Sequence, residues 1–162
     1  MRDQEISCHE RRQRRLPHWE EPGATYFVSF NLANRDELDL RERRLAELII
    51  SALRYFDGTR YWLYDYTVMP DHVHCIIRLP ARNGKSEALW RITQSIKGWL
   101  ARRMNSMLGR EGQLWQHESH DHIIRNRQDY EEKAKYIFWN PHKAGLVADP
   151  AEWPWWGRGS GE

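Results

Sequence analysis

The chain has 162 residues and a formal net charge of only +2, a length that suits one domain with a core that needs no disulfides. No apolar run approaches the roughly 20 residues of a membrane-spanning helix, and the charged N-terminus lacks the apolar centre of a signal peptide. The two cysteines, Cys8 and Cys75, show no zinc-type or disulfide-type spacing. The composition therefore predicts a protein of the reducing cytoplasm and argues against a membrane or secreted protein.

Basic and aromatic residues are abundant and unevenly placed along the chain. Nine tryptophans and seven tyrosines are many for this length, although most of these tryptophans are expected in the core. Surfaces that combine cations with rings bind single-stranded nucleic acid, because cations contact phosphates and rings stack on bases. The candidates for such contacts are Arg11, Arg12, Arg14, Arg15 and Trp19 near the N-terminus, and Lys97, Arg102 and Arg103 later in the chain.

The chain begins with a predicted arm and a predicted first strand. Residues 1–23 are polar and Arg-rich and contain two prolines, which favours an arm over a packed element. Residues 24–32 are aromatic and β-branched, which is typical of a strand. Side chains alternate along a strand, so its two faces are expected to differ. One face carries Tyr26, Val28 and Phe30, and the other carries Phe27, Ser29 and Asn31.

The middle of the chain alternates between helical and strand patterns. Apolar residues recur at helical spacing over 40–56 and again over 86–108, which predicts two amphipathic helices. Between them, residues 60–68 and the segment after Pro70 read as two strands. The connection between these strands is short, so we expect an antiparallel hairpin.

The last third of the chain is predicted to form a short strand over 119–125 and a helix that starts at Asp129. Pro141 biases the residue before it away from helical angles, so this helix is expected to end near Asn140. The tail over 147–162 is rich in tryptophan, proline and glycine, and we expect its end to fray.

The order of these elements predicts one domain over 1–162 with an α+β fold of the ferredoxin-like (RRM-like) kind. In that fold, an antiparallel sheet is covered by helices on one face and is open on the other. The strand that follows Pro70 is expected to lie at the centre of the sheet.

That central strand carries a histidine, a hydrophobic residue and a second histidine in succession. His72 and His74 share one face of the strand, so their imidazoles can share a metal ion, while Val73 and Cys75 bury the opposite face. The alternative is that both histidines are ordinary polar residues. His120 and His122 repeat this spacing on a later strand, where a third metal ligand, an acid and a plain surface all remain open.

The last helix carries Tyr136 and Asn140, which are four residues apart and therefore neighbours on one helical face. A tyrosine on a helix usually belongs to a core, so this spacing alone assigns no function. Taken with the histidine strand, however, it completes a pattern.

Met-Pro-Asp-His-Val-His at 69–74, followed by Tyr-Ile-x-x-Asn-Pro-x-Lys-x-Gly-Leu at 136–146, resembles the REP-associated tyrosine transposases. These form a single-tyrosine branch of the HUH endonucleases, named for the motif His, hydrophobe, His. Each motif alone is weak, but the pair in this order is specific. Further likeness lies at 15–19, 114–116 and 121–125.

The resemblance implies a metal-dependent enzyme that nicks and rejoins single-stranded hairpin DNA of the REP type. By this resemblance, Tyr136 is the nucleophile that forms a 5′-phosphotyrosine, and His72, His74 and Asn140 hold Mg²⁺ or Mn²⁺. It also implies a monomer without an obligate protein partner, located in the prokaryotic cytoplasm at the nucleoid. Two alternatives remain: a hairpin DNA- or RNA-binding protein of the same fold without turnover, and a metallohydrolase that activates water.

Overall fold

The computed structural model describes residues 23–161, which form a five-stranded antiparallel sheet and three α-helices. The strand order is β4-β1-β3-β2-β5, so the predicted α+β fold and the central place of the histidine strand are confirmed. The strands are β1 (Thr25–Asn31), β2 (Trp62–Val68), β3 (His72–Arg78), β4 (His120–Ile124) and β5 (Trp156–Arg158), and the helices are α1 (Arg43–Tyr55), α2 (Leu89–Leu108) and α3 (Arg127–Lys143).

One face of the sheet forms the main core with α1 and α2. Tyr26, Val28 and Phe30 of β1 point into this core, as their alternation predicts. The apolar stripes of both helices meet them, with Leu53 of α1 and Leu100 of α2 fully buried. Removal of this apolar surface from water is the main source of the stability of the fold. Within residues 23–161, no helix is long and apolar enough to cross a membrane.

The other face of the sheet is covered in part by α3, so the expectation that all helices share one face is wrong. Tyr136 of α3 packs edge-on against Phe27 and His74, with ring centroids 5.8 and 5.3 Å apart. These two residues alternate with core residues, so α3 lies on the side away from α1 and α2. Ile137 is fully buried on this side.

A β-bulge in β2 helps to hold α3 on the sheet. Leu63 and Tyr66 are paired with consecutive core-facing positions of β3, so two residues of β2 lie between them where β3 has one. One of these, Asp65, is only 1% exposed and accepts a hydrogen bond of 2.8 Å from the Tyr130 hydroxyl of α3. Arg158 of β5 also contacts Asp65, with its Nε 3.1 Å from the carboxylate. Burial, and then this hydrogen bond to the carboxylate, raise the pKa of Tyr130.

Helix α3 continues past Pro141 to Lys143, so the predicted end near Asn140 is wrong. Proline lacks a backbone N–H but can remain in a helix when the neighbouring turns hold it. Here the amides of Ala144 and Leu146 close the helix by donating to the carbonyls of Asn140 and Pro141. Asn140 is therefore helical and lies one turn after Tyr136.

The C-terminal tail packs against β2 through β5 and the glycines after it, which corrects the expectation that it frays. β5 pairs with the outer edge of β2, and Trp153 is buried with its indole N–H donating to the Val68 carbonyl. Two glycines allow this close packing. A Cβ on Gly157 would lie 2.4 Å from the Tyr66 hydroxyl oxygen, and one on Gly159 would lie 2.5 Å from the Leu63 carbonyl oxygen.

Candidate metal and tyrosine site

The register of the sheet aligns polar residues of three neighbouring strands. Ser29 of β1 lies opposite His74 of β3 on one side and opposite His120 of β4 on the other. Asn31 lies opposite His72 in the next row. Directly paired residues in an antiparallel sheet share a face, so all five side chains belong to the face that α3 partly covers.

An open depression of about 480 Å³ lies between these rows and α3. It brings together four predicted site residues from β3, β4 and α3, namely His72, His74, His120 and Tyr136. Its walls consist of Phe27, Ser29, Asn31, Arg35, His72, His74, His120, Lys133 and Tyr136.

The two histidines of β3 are oriented by hydrogen bonds to one ring nitrogen each. The Nδ1 atom of His72 lies 2.6 Å from the Asp71 carboxylate, and the Nδ1 atom of His74 pairs with the Ser29 hydroxyl. The two rings lie 4.5 Å apart between centroids. A proton on each Nδ1 leaves each Nε2 lone pair available, which is the arrangement of metal-binding histidines with supporting hydrogen bonds.

His74 is buried, and within residues 23–161 its Nε2 atom has no hydrogen-bond partner. An unpaired buried nitrogen is costly, so it favours a ligand that accepts its lone pair. Burial, followed by the charge of neighbouring His72, lowers the pKa of His74 to about 3. The ring is therefore neutral at ordinary pH, which is the form that binds a metal ion.

These features fit a divalent metal ion held by two imidazoles. Among residues 23–161, no group of three or more His, Cys, Asp and Glu side chains could hold a metal ion. The remaining ligands would have to be amide, phosphate or water oxygens. Asn140 is half-buried and one turn from Tyr136, but the walls of the depression do not include it. Its place in a metal site remains a prediction.

Tyr136 is 42% exposed, unlike an ordinary core tyrosine. Its ring rests on His74 and Phe27, while the flanking Ile137 of α3 is buried and fixes the helix on the sheet. The tyrosine is thus held at the mouth of the depression and its ring is accessible from outside.

Two cations of the depression were missed from the sequence. Lys133 of α3 is half-buried, with its Nζ 5.4 Å from the centroid of the Phe27 ring. It precedes Tyr136 by three residues, and this helical spacing is the signal that could have identified it. Arg35 lies 3.1 Å from the second oxygen of Asp71, the carboxylate that orients His72.

Lys97 was predicted to contact nucleic acid, and the structure contradicts this. It is 8% exposed, and its Nζ donates to the carbonyls of Gln116 and His117 at 2.7 and 3.0 Å and to the Ser119 hydroxyl at 3.3 Å. Burial lowers the pKa of Lys97. The ammonium group therefore holds the loop before β4 in place rather than facing solvent.

The other predicted nucleic-acid contacts lie away from the depression or outside the described residues. Arg102 lines a groove between α1 and α2, on the opposite side of the sheet, and Arg103 is exposed on α2. His122, for which a third metal ligand, an acid and a plain surface were open, contacts Asp129 at the start of α3, at 3.2 Å. It does not line the depression. Arg11, Arg12, Arg14, Arg15 and Trp19 lie before residue 23, so their role remains a prediction.

Comparison with known proteins agrees with the fold and identifies a family. The family model described as "Transposase IS200 like" matches residues 35–140. The REP-associated tyrosine transposase of Escherichia coli K12 is 31% identical over 134 residues, which cover 82% of this chain and 74% of that protein. The chain therefore belongs to the IS200-like transposase family.

Solved structures extend this comparison. A REP-associated tyrosine transposase bound to a REP hairpin superposes with a TM-score of 0.67 and 29% identity, over 87% of this chain and 80% of the other. A crystal structure from Deinococcus radiodurans has a TM-score of 0.52 at 19% identity and shows the fold alone. The resemblance to the REP-associated tyrosine transposases is thereby confirmed.

Proposed function

We propose that the protein cleaves and rejoins single-stranded DNA next to a hairpin of the REP type, with Tyr136 as the nucleophile. The observation that carries this proposal is the contact between the exposed ring of Tyr136 and the buried ring of His74. It joins a nucleophile to a candidate metal ligand in an open depression. The hairpin-bound relative of the same fold supports the choice of substrate.

In the cleavage step, the Tyr136 hydroxyl oxygen attacks a backbone phosphorus atom and loses its proton. A bond forms between tyrosine and phosphorus, and the bond from phosphorus to the 3′ oxygen breaks. The leaving oxygen takes up a proton and becomes a free 3′-hydroxyl. Because the new phosphotyrosine keeps a phosphoester bond, a 3′-hydroxyl can attack it in the reverse direction and rejoin the strand without ATP.

His72 and His74 would hold Mg²⁺ or Mn²⁺, with Asn140 as a proposed further ligand. When bound, such an ion acts as a Lewis acid that polarises the scissile phosphate and orients it for in-line attack. Two imidazoles leave most positions of the ion open to oxygen ligands, unlike a closed structural zinc site. Asp71 and Ser29 orient the two imidazoles for this purpose.

Lys133 and Arg35 are the two cations in the wall of the depression within residues 23–161. The phosphate that is attacked gains negative charge in the transition state, and preorganised cations stabilise that charge. Phe27 forms the apolar floor that supports both Lys133 and Tyr136.

The test is incubation of the protein with a single-stranded DNA that carries a REP-type hairpin and an unpaired flank, with Mg²⁺ or Mn²⁺ present. We expect a covalent protein–DNA adduct in a denaturing gel. The adduct should be labelled when the label lies on the DNA fragment that carries the 5′ phosphate at the nick, and unlabelled when the label lies on the other fragment. Binding without an adduct would favour the alternative of a hairpin-binding protein without turnover. Cleavage without an adduct would favour water as the nucleophile.

A further inference from the structure

A second surface lies on the same face of the sheet, on the side of α3 away from His72. Arg78 follows His74 by four residues on β3 and therefore shares its face, at a distance of about 13 Å along the strand. Arg78 pairs with Trp62 of β2 on one side and with Thr25 of β1 on the other. This row forms the sheet's surface beyond α3.

Two adjoining depressions open on this row and share Tyr64. The first, of about 440 Å³, is lined by Trp62, Tyr64 and Arg78 together with the chain around Pro80. The second, of about 310 Å³, is lined by Tyr64, Arg125 and the first turn of α3. They form one continuous aromatic and basic surface, called here the Trp62 surface.

The aromatic residues of the Trp62 surface are available to a ligand. Trp62 is 38% exposed and lies at the end of this row of strand residues. Tyr64 is half-buried, with its ring in edge-on contact with Tyr130 of α3 at 5.6 Å. A ring held from one side in this way presents a fixed platform for stacking at little entropic cost.

The charge of the Trp62 surface is positive. Arg78 and Arg125 are exposed, and the Nε atom of Arg78 donates a hydrogen bond of 3.2 Å to the Gly23 carbonyl. The acidic groups nearby are already engaged. Glu131 pairs with Arg127, and the Asp129 carboxylate contacts His122 and the Arg125 amide.

We propose that the Trp62 surface binds single-stranded DNA that flanks the hairpin, through stacking on Trp62 and Tyr64 and through phosphate contacts to Arg78 and Arg125. This inference rests on the proposed function, because the ligand is the unpaired part of the same DNA. Exposed rings with interleaved arginines suit a single strand, whose bases are free to stack, better than a duplex.

The test compares two double variants of the full chain, both in the Tyr136→Phe background so that DNA is bound without being cut. The first is Trp62→Ala with Arg78→Gln. The matched control is Trp90→Ala with Arg91→Gln, an exposed tryptophan–arginine pair on α2, which covers the opposite face of the sheet. The probes are one fluorescent hairpin without a tail and the same hairpin with eight thymidines added at either end.

We expect the Trp62/Arg78 variant to bind one of the tailed hairpins about tenfold more weakly and the hairpin without a tail within twofold of the parent. The control variant should bind all probes like the parent. Trp62→Phe in place of Trp62→Ala keeps a stacking ring and should recover most of the affinity for the tailed hairpin. Such a recovery would exclude misfolding as the cause of the weaker binding. Equal affinity of both double variants for the tailed probes, or an equal loss on tailed and tail-free probes, would overturn the inference.

The covalent adduct assay on the unmodified protein keeps the two proposals separate. An adduct together with an unaffected tail would leave the proposed function standing and reject the Trp62 surface. A tail-specific loss without any adduct would support the Trp62 surface and reject the proposed function.

Discussion

The two faces of the sheet are built from the same strands but have opposite chemistry. The face under α1 and α2 is a continuous apolar core in which residues such as Val28 and Leu53 are almost fully buried. The face under α3 carries Ser29 and His74, polar residues that are nearly as buried. Along β1 and β3, the alternation of side chains separates the two sets.

This difference shows which face determines stability and which determines chemistry. Apolar burial is non-directional, so the core face tolerates some change in packing detail. A buried imidazole with an unpaired nitrogen does not stabilise the fold in this way and is better explained by a bound ligand. Substitutions on the two faces should therefore have separable effects on folding and on DNA cleavage.

The largest separation is expected for Tyr136→Phe. Loss of one oxygen removes the nucleophile and should lower the cleavage rate by more than about a thousandfold. Little contact area is lost because the ring remains on Phe27 and His74, so hairpin affinity and thermal stability should stay close to the parent. Gel assays of nicking and fluorescence anisotropy measure the two properties. Nicking at a comparable rate would mean that water is the nucleophile.

His74→Ala should lower metal-dependent cleavage by at least about a hundredfold. Residues that merely support a metal ligand cost 10- to about 100-fold when changed, so loss of the ligand itself should cost no less. Cleavage rates across Mg²⁺ and Mn²⁺ titrations, with an EDTA sample, provide the measurement. His117→Ala is the control, because that side chain is exposed in the loop before β4. Full activity of the native protein in EDTA would contradict the metal site.

Leu53→Ala on the core face should lower stability and leave cleavage unchanged. Loss of a fully buried leucine should lower the free energy of unfolding by about 2–5 kcal/mol, and 2 kcal/mol is about a 30-fold change in equilibrium. Urea unfolding measures this loss, and Leu108→Ala, at a 40% exposed position, should change little. Cleavage per folded molecule should be unchanged for both variants. A loss of cleavage beyond the unfolded fraction would show that the two faces are coupled.

The smallest of these effects is expected for Lys133→Met, which should lower kcat/KM for the hairpin substrate about tenfold. The change removes one cation from the wall of the depression and should also reduce the salt dependence of binding by about one charge. Lys135→Met is the matched control, two residues along α3 and exposed. Steady-state cleavage at several salt concentrations distinguishes the two. Equal behaviour of both lysine variants would mean that Lys133 takes no part in cleavage.

The core face was predictable from the sequence because apolar residues recur at a regular spacing within each of its elements. The alternation of β1 and the stripes of α1 and α2 identify buried residues without knowledge of their partners. The same alternation placed His72 and His74 on one face. The contact of Tyr136 with His74 joins residues 62 positions apart, and only the family resemblance indicated it.

The wrong predictions concern contacts that no regular spacing of residues in the sequence indicates. Lys97 was interpreted as an exposed cation, but carbonyls of a distant loop surround its ammonium group. α3 was placed on the wrong face because much of its buried side is polar or aromatic, as with Tyr130 and its partner Asp65. The tail was expected to fray because its glycines suggest flexibility, whereas Gly157 and Gly159 serve close approach to β2.

The packing of that tail also covers one edge of the sheet. β5 covers the outer edge of β2, and Gly159 and Gly161 donate their amides to the Tyr64 and Leu63 carbonyls. A chain that stopped at Trp155 would turn β2 into an open edge with unpaired backbone groups, which is a template for aggregation. We expect light scattering to rise with concentration for such a truncated chain and to stay flat for the intact one. We therefore expect the last residues to prevent β2 from pairing with a strand of another molecule.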